Sequence, residues 1–135
     1  AAAALCNLNI IERENLVGNA SDTGAYLQKR MRETFADHPL VGESRGVGLM
    51  HALEFSSNRA ERTHFDPNLK VGAQISAACL DEGLIARAMP QGDILGFAPP
   101  LIIKPSEVDS IVERTETAVN KVMDKLVSSG DWNAK

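Results

Sequence analysis

The sequence contains few of the residues that stabilise small proteins by special means. Only two of its 135 residues are cysteine (Cys6 and Cys79), which excludes a disulfide framework. Aromatic residues make up 4%, and the three scattered histidines have no metal-ligand spacing, so no metal site is predicted. No apolar run approaches the roughly 18 residues of a membrane span, and no basic leader of the signal-peptide type opens the chain. Because both cysteines lie among apolar residues, we expect two buried free thiols and a cytoplasmic protein.

Charge and composition narrow the protein class further. A balance of 14 Lys+Arg against 18 Asp+Glu gives a net charge of -4, which excludes the basic surface that nucleic-acid binding requires. Hydrophobic residues at 44% and charged residues at 24% are globular values and exclude disorder. The length predicts one domain. The chain starts without methionine, inside the helix-forming run Ala1–Leu5, which predicts a piece of a longer protein.

Hydrophobic spacing predicts the element order α-α-β-β-α-β-β-α. Helices are expected over residues 1–13, 14–36, 69–82 and from Pro105 to Ser129; strands are expected within residues 40–55 and over 84–88 and 94–97. Gly24 lies in the apolar stripe of the second helix and predicts a close crossing with another element. Gly46 and Gly48 predict a bend or bulge between the first two strands. This order indicates an α+β fold, with a small antiparallel sheet of three or four strands packed by helices on one side.

The residues taken alone predict little chemistry. The sequence has no glycine-rich phosphate loop followed by lysine, no zinc-type histidine pair and no nucleophile elbow. His51 lies on an alternating strand, where a structural role is favoured over a catalytic one. Arg45 is expected to hydrogen-bond nearby backbone or to pair with Glu43 or Glu54. Arg87 ends an apolar strand before a turn, so it either pairs with an acid of its own domain or binds an anion through its guanidinium fork.

Four segments, in order, carry a resemblance to a known family. They are Val41–Phe55 (VGESRGVGLMHALEF), Gly83–Ala88 (GLIARA), Phe97–Ile103 (FAPPLII) and Ser106–Asp109 (SEVD). The first resembles the Val-Gly-x-x-Arg-Gly-x-Gly-Leu-Met-x-x-x-Glu block of class III, PLP-dependent aminotransferases, and the others are similar to that family's later blocks. The resemblance extends from the opening alanines to about Leu126.

This resemblance implies the small, C-terminal domain of a fold type I PLP enzyme. Residues 1–13 then end the helix that links it from a missing large domain, 14–128 form the small domain, and 129–135 are a frayed tail. The family's PLP-bound lysine and most other cofactor contacts lie upstream, and no lysine here matches that motif. The resemblance therefore assigns no catalytic and no cofactor-binding residue to this chain, and the isolated chain is expected to be inactive. It also implies a homodimer or tetramer in the full-length enzyme, and an exposed apolar face on residues 1–13.

The substrate residue implied by the resemblance is Arg87. Many class III members carry a carboxylate-binding arginine where this chain has Gly96, whereas the ω-amino acid:pyruvate and amine:pyruvate subgroup carries it at the position of Arg87. The implied reaction transfers an amino group from an amine or ω-amino acid to a keto acid such as pyruvate, with Arg87 binding the keto-acid carboxylate and moving aside for an apolar amine. In this chain Ala88-Met89 follows Arg87, whereas many members have Arg-Pro there.

Two alternatives stay open at this point. One is another class III PLP enzyme, such as a glutamate-1-semialdehyde aminomutase or a decarboxylase. The other is a non-catalytic α+β binding module.

Overall fold

The computed structural model describes residues 1–133, whose elements follow the predicted order. The helices are α1 (Ala2–Arg13), α2 (Leu16–Phe35), α3 (Val71–Asp81) and α4 (Pro105–Ser129). The strands are β1 (Val41–Val47), β2 (Met50–Phe55), β3 (Arg87–Ala88) and β4 (Ile94–Phe97). Within this range, no helix combines the length and apolarity needed to cross a bilayer.

The four strands form one antiparallel sheet in the order β1-β2-β4-β3. Gly48 and Leu49 join β1 to β2, and Gly48 has a φ of 54°, which glycine adopts without steric cost. This confirms the predicted glycine bend at Gly48. The bulge lies instead at Gly42, where the register shifts between Val41 and Glu43.

Helices cover one face of this sheet and form the core with it. In β2 and β4, alternate residues are buried on the helix side, as a half-covered sheet requires. They pack with the predicted stripe of α2 and with the apolar face of α4 in a single cluster. Its members from these elements are Leu53, Phe55, Leu95, Phe97, Leu27, Met31, Phe35, Val108, Val112, Ala118, Val119, Val122 and Leu126. The predicted α+β fold, with a small antiparallel sheet packed by helices, is confirmed.

The hairpin turn approaches α2 at Gly24. A β-carbon built on Gly24 lies 2.6 Å from the Cα and carbonyl oxygen of Gly48, well inside van der Waals contact. Only a glycine at this position of α2 lets the two backbones lie this close. The predicted close crossing at Gly24 is therefore confirmed, and the partner element is the β1–β2 turn.

Local signals at three helix ends act as predicted, and two helix starts differ. Helix α2 begins at Leu16 and not at residue 14, after Asn15 in the left-handed conformation with φ 48°. Pro105 is the first residue of α4, while Gly83 and Gly130 follow α3 and α4 with φ values of 76° and 78°. Helix α3 begins at Val71 and not near residue 69, because a separate 3-10 turn over Pro67–Leu69 comes first. Lys70, in the left-handed conformation with φ 49°, separates the two.

Helix α1 presents its apolar side chains to solvent. None of its residues is buried, and Leu5 and Leu8 are 60% and 56% exposed, so the expected exposed face is confirmed. Cys6 is exposed on the same helix, and its predicted burial is therefore wrong because no described element packs over it. Cys79 is buried as predicted, and this burial raises the pKa of its thiol to about 11.

The chain end beyond α4 is more ordered than a frayed tail. Trp132 is only 7% exposed, packs beside Phe65 and donates from Nε1 to the carbonyl oxygen of Ser57 at 2.7 Å. At Trp132 the segment is therefore not frayed, because an indole that packs beside Phe65 and donates to a carbonyl oxygen stabilises its own segment. Residues 134–135 of that predicted tail lie outside the described residues.

Candidate functional site

The sheet face opposite the core carries the candidate site. Side chains on this face are exposed or half-buried, and together with the buried His51 and Phe97 they border a cleft of about 690 Å³. Its apolar lining comes from four strands and the residues next to them: Val47, Met50, Ile85, Met89, Phe97 and Ala98. Arg45 and Arg87 supply its positive charges. An apolar surface with two guanidinium groups suits a small organic anion.

The strand register places the two arginines in one row. Arg45 lies opposite Ala52, Ala52 opposite Gly96, and Gly96 opposite Arg87. Because paired residues of antiparallel strands share a face, this row has an arginine at each end and two small residues between them. The small residues leave the middle of the cleft without side chains that would fill it.

Arg45 is held by two carboxylates. Its Nη1 donates to Glu43 Oε2 at 2.7 Å and to Glu54 Oε2 at 2.6 Å, and these hydrogen bonds raise the pKa of the guanidinium. The structural pairing expected from the sequence is confirmed, with both acids and not one. Glu54 is the last residue of the quoted motif. It lies on the same sheet face as Arg45, two residues along β2 from Ala52, which is directly opposite Arg45, so the two form a diagonal cross-strand ion pair.

Arg87 is exposed and has no such partner. None of the ion pairs or side-chain hydrogen bonds within residues 1–133 includes it, so the first of its two expected roles, a salt bridge with an acid of its own domain, is not formed in this range. Ile85 and Met89, two positions to either side, line the cleft with it, whereas Ala86 between them is buried. This alternation directs the Arg87 side chain into the cleft.

Gly96 and Arg87 are neighbours across the sheet. The position at which the family resemblance expects an arginine in many members is therefore adjacent to the position that carries one here. The space above Gly96 is occupied by the methyl group of Met89, which a β-carbon at residue 96 would overlap. An arginine on β3 thus lies at the same part of the cleft as an arginine on β4 would.

His51 borders the cleft but has both ring nitrogens occupied. Gln28 Nε2 donates to the carbonyl oxygens of Gly48 and Met50 at 3.0 and 3.1 Å, so its Oε1 is the acceptor for His51 Nδ1 at 2.7 Å. His51 Nε2 then accepts from Ser44 Oγ at 3.1 Å. Burial, with a smaller contribution from Arg32, lowers the His51 pKa to about 4. This neutral, buried imidazole has the structural role that was favoured.

Gln28 is the site residue that sequence reasoning missed. It joins α2 to the hairpin turn and fixes the tautomer of His51. The sequence could have indicated Gln28, because it lies four residues after Gly24 and therefore on the helix face where the close crossing is predicted.

The described lysines lie on the surface, away from the cleft. Lys29, Lys70, Lys104, Lys121 and Lys125 are all exposed, and none lines the cleft. A lysine that binds PLP covalently needs a lowered pKa in an enclosed pocket. Within residues 1–133 there is likewise no group of three His, Cys, Asp or Glu side chains arranged to hold a metal ion.

Comparison with known proteins gives one consistent result. The family described as aminotransferase class-III matches residues 1–119. The chain is 67% identical over 129 residues to a diaminobutyrate–2-oxoglutarate transaminase of Halomonas elongata, and 40% identical over 130 residues to a putrescine–pyruvate aminotransferase of Pseudomonas aeruginosa. Each alignment covers 96% of this chain but only 28% and 27% of the relative, so the chain spans about a quarter of their length.

A solved structure agrees with these sequence matches. A transaminase from work on directed evolution by ancestral reconstruction superposes with a TM-score of 0.92 at 70% identity, over 93% of this chain and 27% of that one. These matches favour the aminotransferase reading over the non-catalytic module. The chain belongs to the class-III aminotransferase family.

Proposed function

We propose that the chain is the C-terminal, substrate-recognising domain of a PLP-dependent ω-amino acid or amine transaminase. Residues 1–13 would link it to a large domain, and 14–128 would form the domain itself. The amino group would pass from an amine or ω-amino acid to a keto acid, which is 2-oxoglutarate or pyruvate in the names of the two relatives. The cofactor and the lysine that binds it would belong to the part that this chain does not match.

The observation that carries this proposal is the state of Arg87. An exposed guanidinium without an ion pair in residues 1–133, beside apolar residues on an open sheet face, can bind a carboxylate through two parallel hydrogen bonds. Because no acid holds it, the side chain can also move away when an uncharged amine contacts Val47, Met50 or Ile85. One cleft would then accept two unlike substrates in turn.

The cysteines bear on the cellular setting. The unpaired Cys6 and Cys79 are consistent with a reducing compartment, so we place the enzyme in the cytoplasm. The homodimer or tetramer implied by the family resemblance stays a prediction.

Replacing Arg87 in the full-length enzyme tests the proposal. For Arg87→Ala we expect the KM of the keto acid to rise about 10- to 100-fold, because a charge-assisted hydrogen-bond pair is lost. The KM of an uncharged amine such as 1-phenylethylamine should change by less than about threefold, because it makes no use of the charge. Steady-state kinetics with each substrate varied in turn measure both values.

Two further variants make this result specific. Arg87→Lys keeps the charge but cannot donate two parallel hydrogen bonds, so the KM of the keto acid should rise less than in Arg87→Ala but still exceed the unchanged value. Lys29→Ala removes an exposed positive charge of α2, whose one ion pair within residues 1–133 is with Glu33 at 3.8 Å, and should leave both KM values unchanged. Equal effects of Arg87→Ala on keto acid and amine would contradict the proposal, and an enzyme that isomerises or decarboxylates its substrate without a keto acid would support the other class III enzymes.

A further inference from the structure

A second cavity, of about 490 Å³, lies at the end of β2 remote from the hairpin turn. It is formed by the outer side of β1 and β2 and by the loop after β2. Its lining is polar and charged and comprises Gly42, Glu43, Glu54, Ser56, Arg59, Arg62 and His64. A volume of this size holds a small metabolite.

Ser56 gives this cavity a buried hydroxyl that needs a partner. The residue is only 7% exposed, and its Oγ has no hydrogen-bond partner within residues 1–133. Gly42 at the bulge keeps the adjacent space open, since a β-carbon there would lie 2.9 Å from Ser56 Oγ. Buried hydroxyl groups in folded proteins are almost always hydrogen-bonded, so a polar ligand atom at this point would be favourable.

The charges around Ser56 are divided between the sheet and the loop. Glu43 and Glu54 come from the strands, and each uses only Oε2 for Arg45, so their Oε1 atoms remain available within residues 1–133. Arg59 and Arg62 come from the loop. Arg59 donates to the carbonyl oxygen of Ala36, whereas Arg62 enters no ion pair or side-chain hydrogen bond in the described range.

We propose that this cavity binds a small zwitterion, a molecule with one ammonium and one carboxylate group. The ammonium group would lie at Glu43 and Glu54, and the carboxylate would accept from Arg62 and Ser56 Oγ. A simple anion would meet two carboxylates here and a simple cation would meet two guanidinium groups. Only a ligand with both charges is complementary to the carboxylates of the strands and to the guanidinium groups of the loop.

The test is a titration of the isotope-labelled chain with 2-aminoisobutyrate, followed by NMR. This zwitterion lacks the α-hydrogen that transamination removes, so the reaction proposed above does not consume it. We expect saturable shifts at Gly42, Ser56 and Arg62. Ser56→Ala and Arg62→Ala should each raise the Kd about tenfold or more, because each removes a hydrogen bond to a charged group.

Controls separate this site from other outcomes. Ser56→Ala removes a hydroxyl without a partner and should not destabilise the fold, and Ser110→Ala on the exposed side of α4 should leave the Kd unchanged. Acetate and methylammonium should bind at least about tenfold more weakly than the zwitterion. Equal binding of acetate, or a Kd that Ser56→Ala and Arg62→Ala do not change, would contradict the proposal.

A crystal of the full-length protein soaked with 2-aminoisobutyrate gives an independent measurement. Density between Glu54 and Arg62, lost in Arg62→Ala, is the expected result. An empty cavity at saturating ligand overturns the proposal whatever the transaminase assays show.

Discussion

Gly24→Ala is expected to destabilise the chain by about 2 kcal/mol, although alanine is the better helix former. A methyl group at residue 24 would overlap the backbone of Gly48, which cannot move aside as a flexible side chain would. Overpacking of this kind typically costs about 1–3 kcal/mol, more than the roughly 1 kcal/mol that alanine gains in helix propensity. Urea unfolding followed by circular dichroism measures the difference from the unchanged chain.

Gly18→Ala in the same helix is the matched control. The three atoms nearest to a β-carbon at Gly18 all belong to the side chain of Asn15, which lies at the exposed start of α2 and can rotate away. We therefore expect Gly18→Ala to be neutral or to stabilise the chain by up to about 1 kcal/mol. Similar stability changes for the two variants would show that the close approach of α2 and the turn is unimportant.

Acidification is expected to remove about 3 kcal/mol of stability through His51 alone. Its folded-state pKa of about 4 lies below the ordinary 6.5 of the unfolded chain. Above pH 6.5 the imidazole is neutral in both states, and stability is at its full value. As the pH falls from 6.5 to about 4, only the unfolded state takes up the proton, so stability decreases. The lowered pKa values of His38 and Asp109 act in the same direction.

His51→Gln isolates this contribution. The variant keeps a polar side chain opposite Gln28 but cannot titrate, so its unfolding free energy should fall less steeply between about pH 7 and pH 4. The slopes should differ by up to about 1.4 kcal/mol per pH unit, the value for one proton. His64→Gln changes an exposed histidine and serves as the control. Parallel pH profiles for the unchanged chain and His51→Gln would contradict the assignment.

Much of the fold could be predicted because its signals are local. The stripe of α2, Pro105 at the start of α4, Gly83 after α3 and Gly48 in the hairpin each act within a few residues of the chain. Even the close crossing at Gly24 follows from one glycine in an apolar stripe. The burial of Trp132 could not be predicted, because its partners Phe65 and Ser57 are distant in sequence and no periodicity links them.

The candidate site was predictable only as separate residues. Arg87 and Gly96 were both singled out by the family motifs, but only the sheet register shows that they are neighbours. Arg45 was expected to have one acidic partner and has two, because a cross-strand pair and a same-strand pair converge on one guanidinium. No sequence pattern indicated Ser56, because whether its hydroxyl group has a hydrogen-bond partner within residues 1–133 depends on how the structure packs.

The contact between α2 and the hairpin turn also affects the order of folding. Gln28 reaches Gly48 and Met50 across 20 and 22 residues, whereas Tyr26 and Arg30 reach Asp109 of α4 across 83 and 79. Closing the longer loop costs about 1 kcal/mol more in chain entropy. We therefore expect α2 and the hairpin to form the folding nucleus, with α4 docking afterwards. The β1–β2 half of the cleft would then be in place before the last helix completes the core.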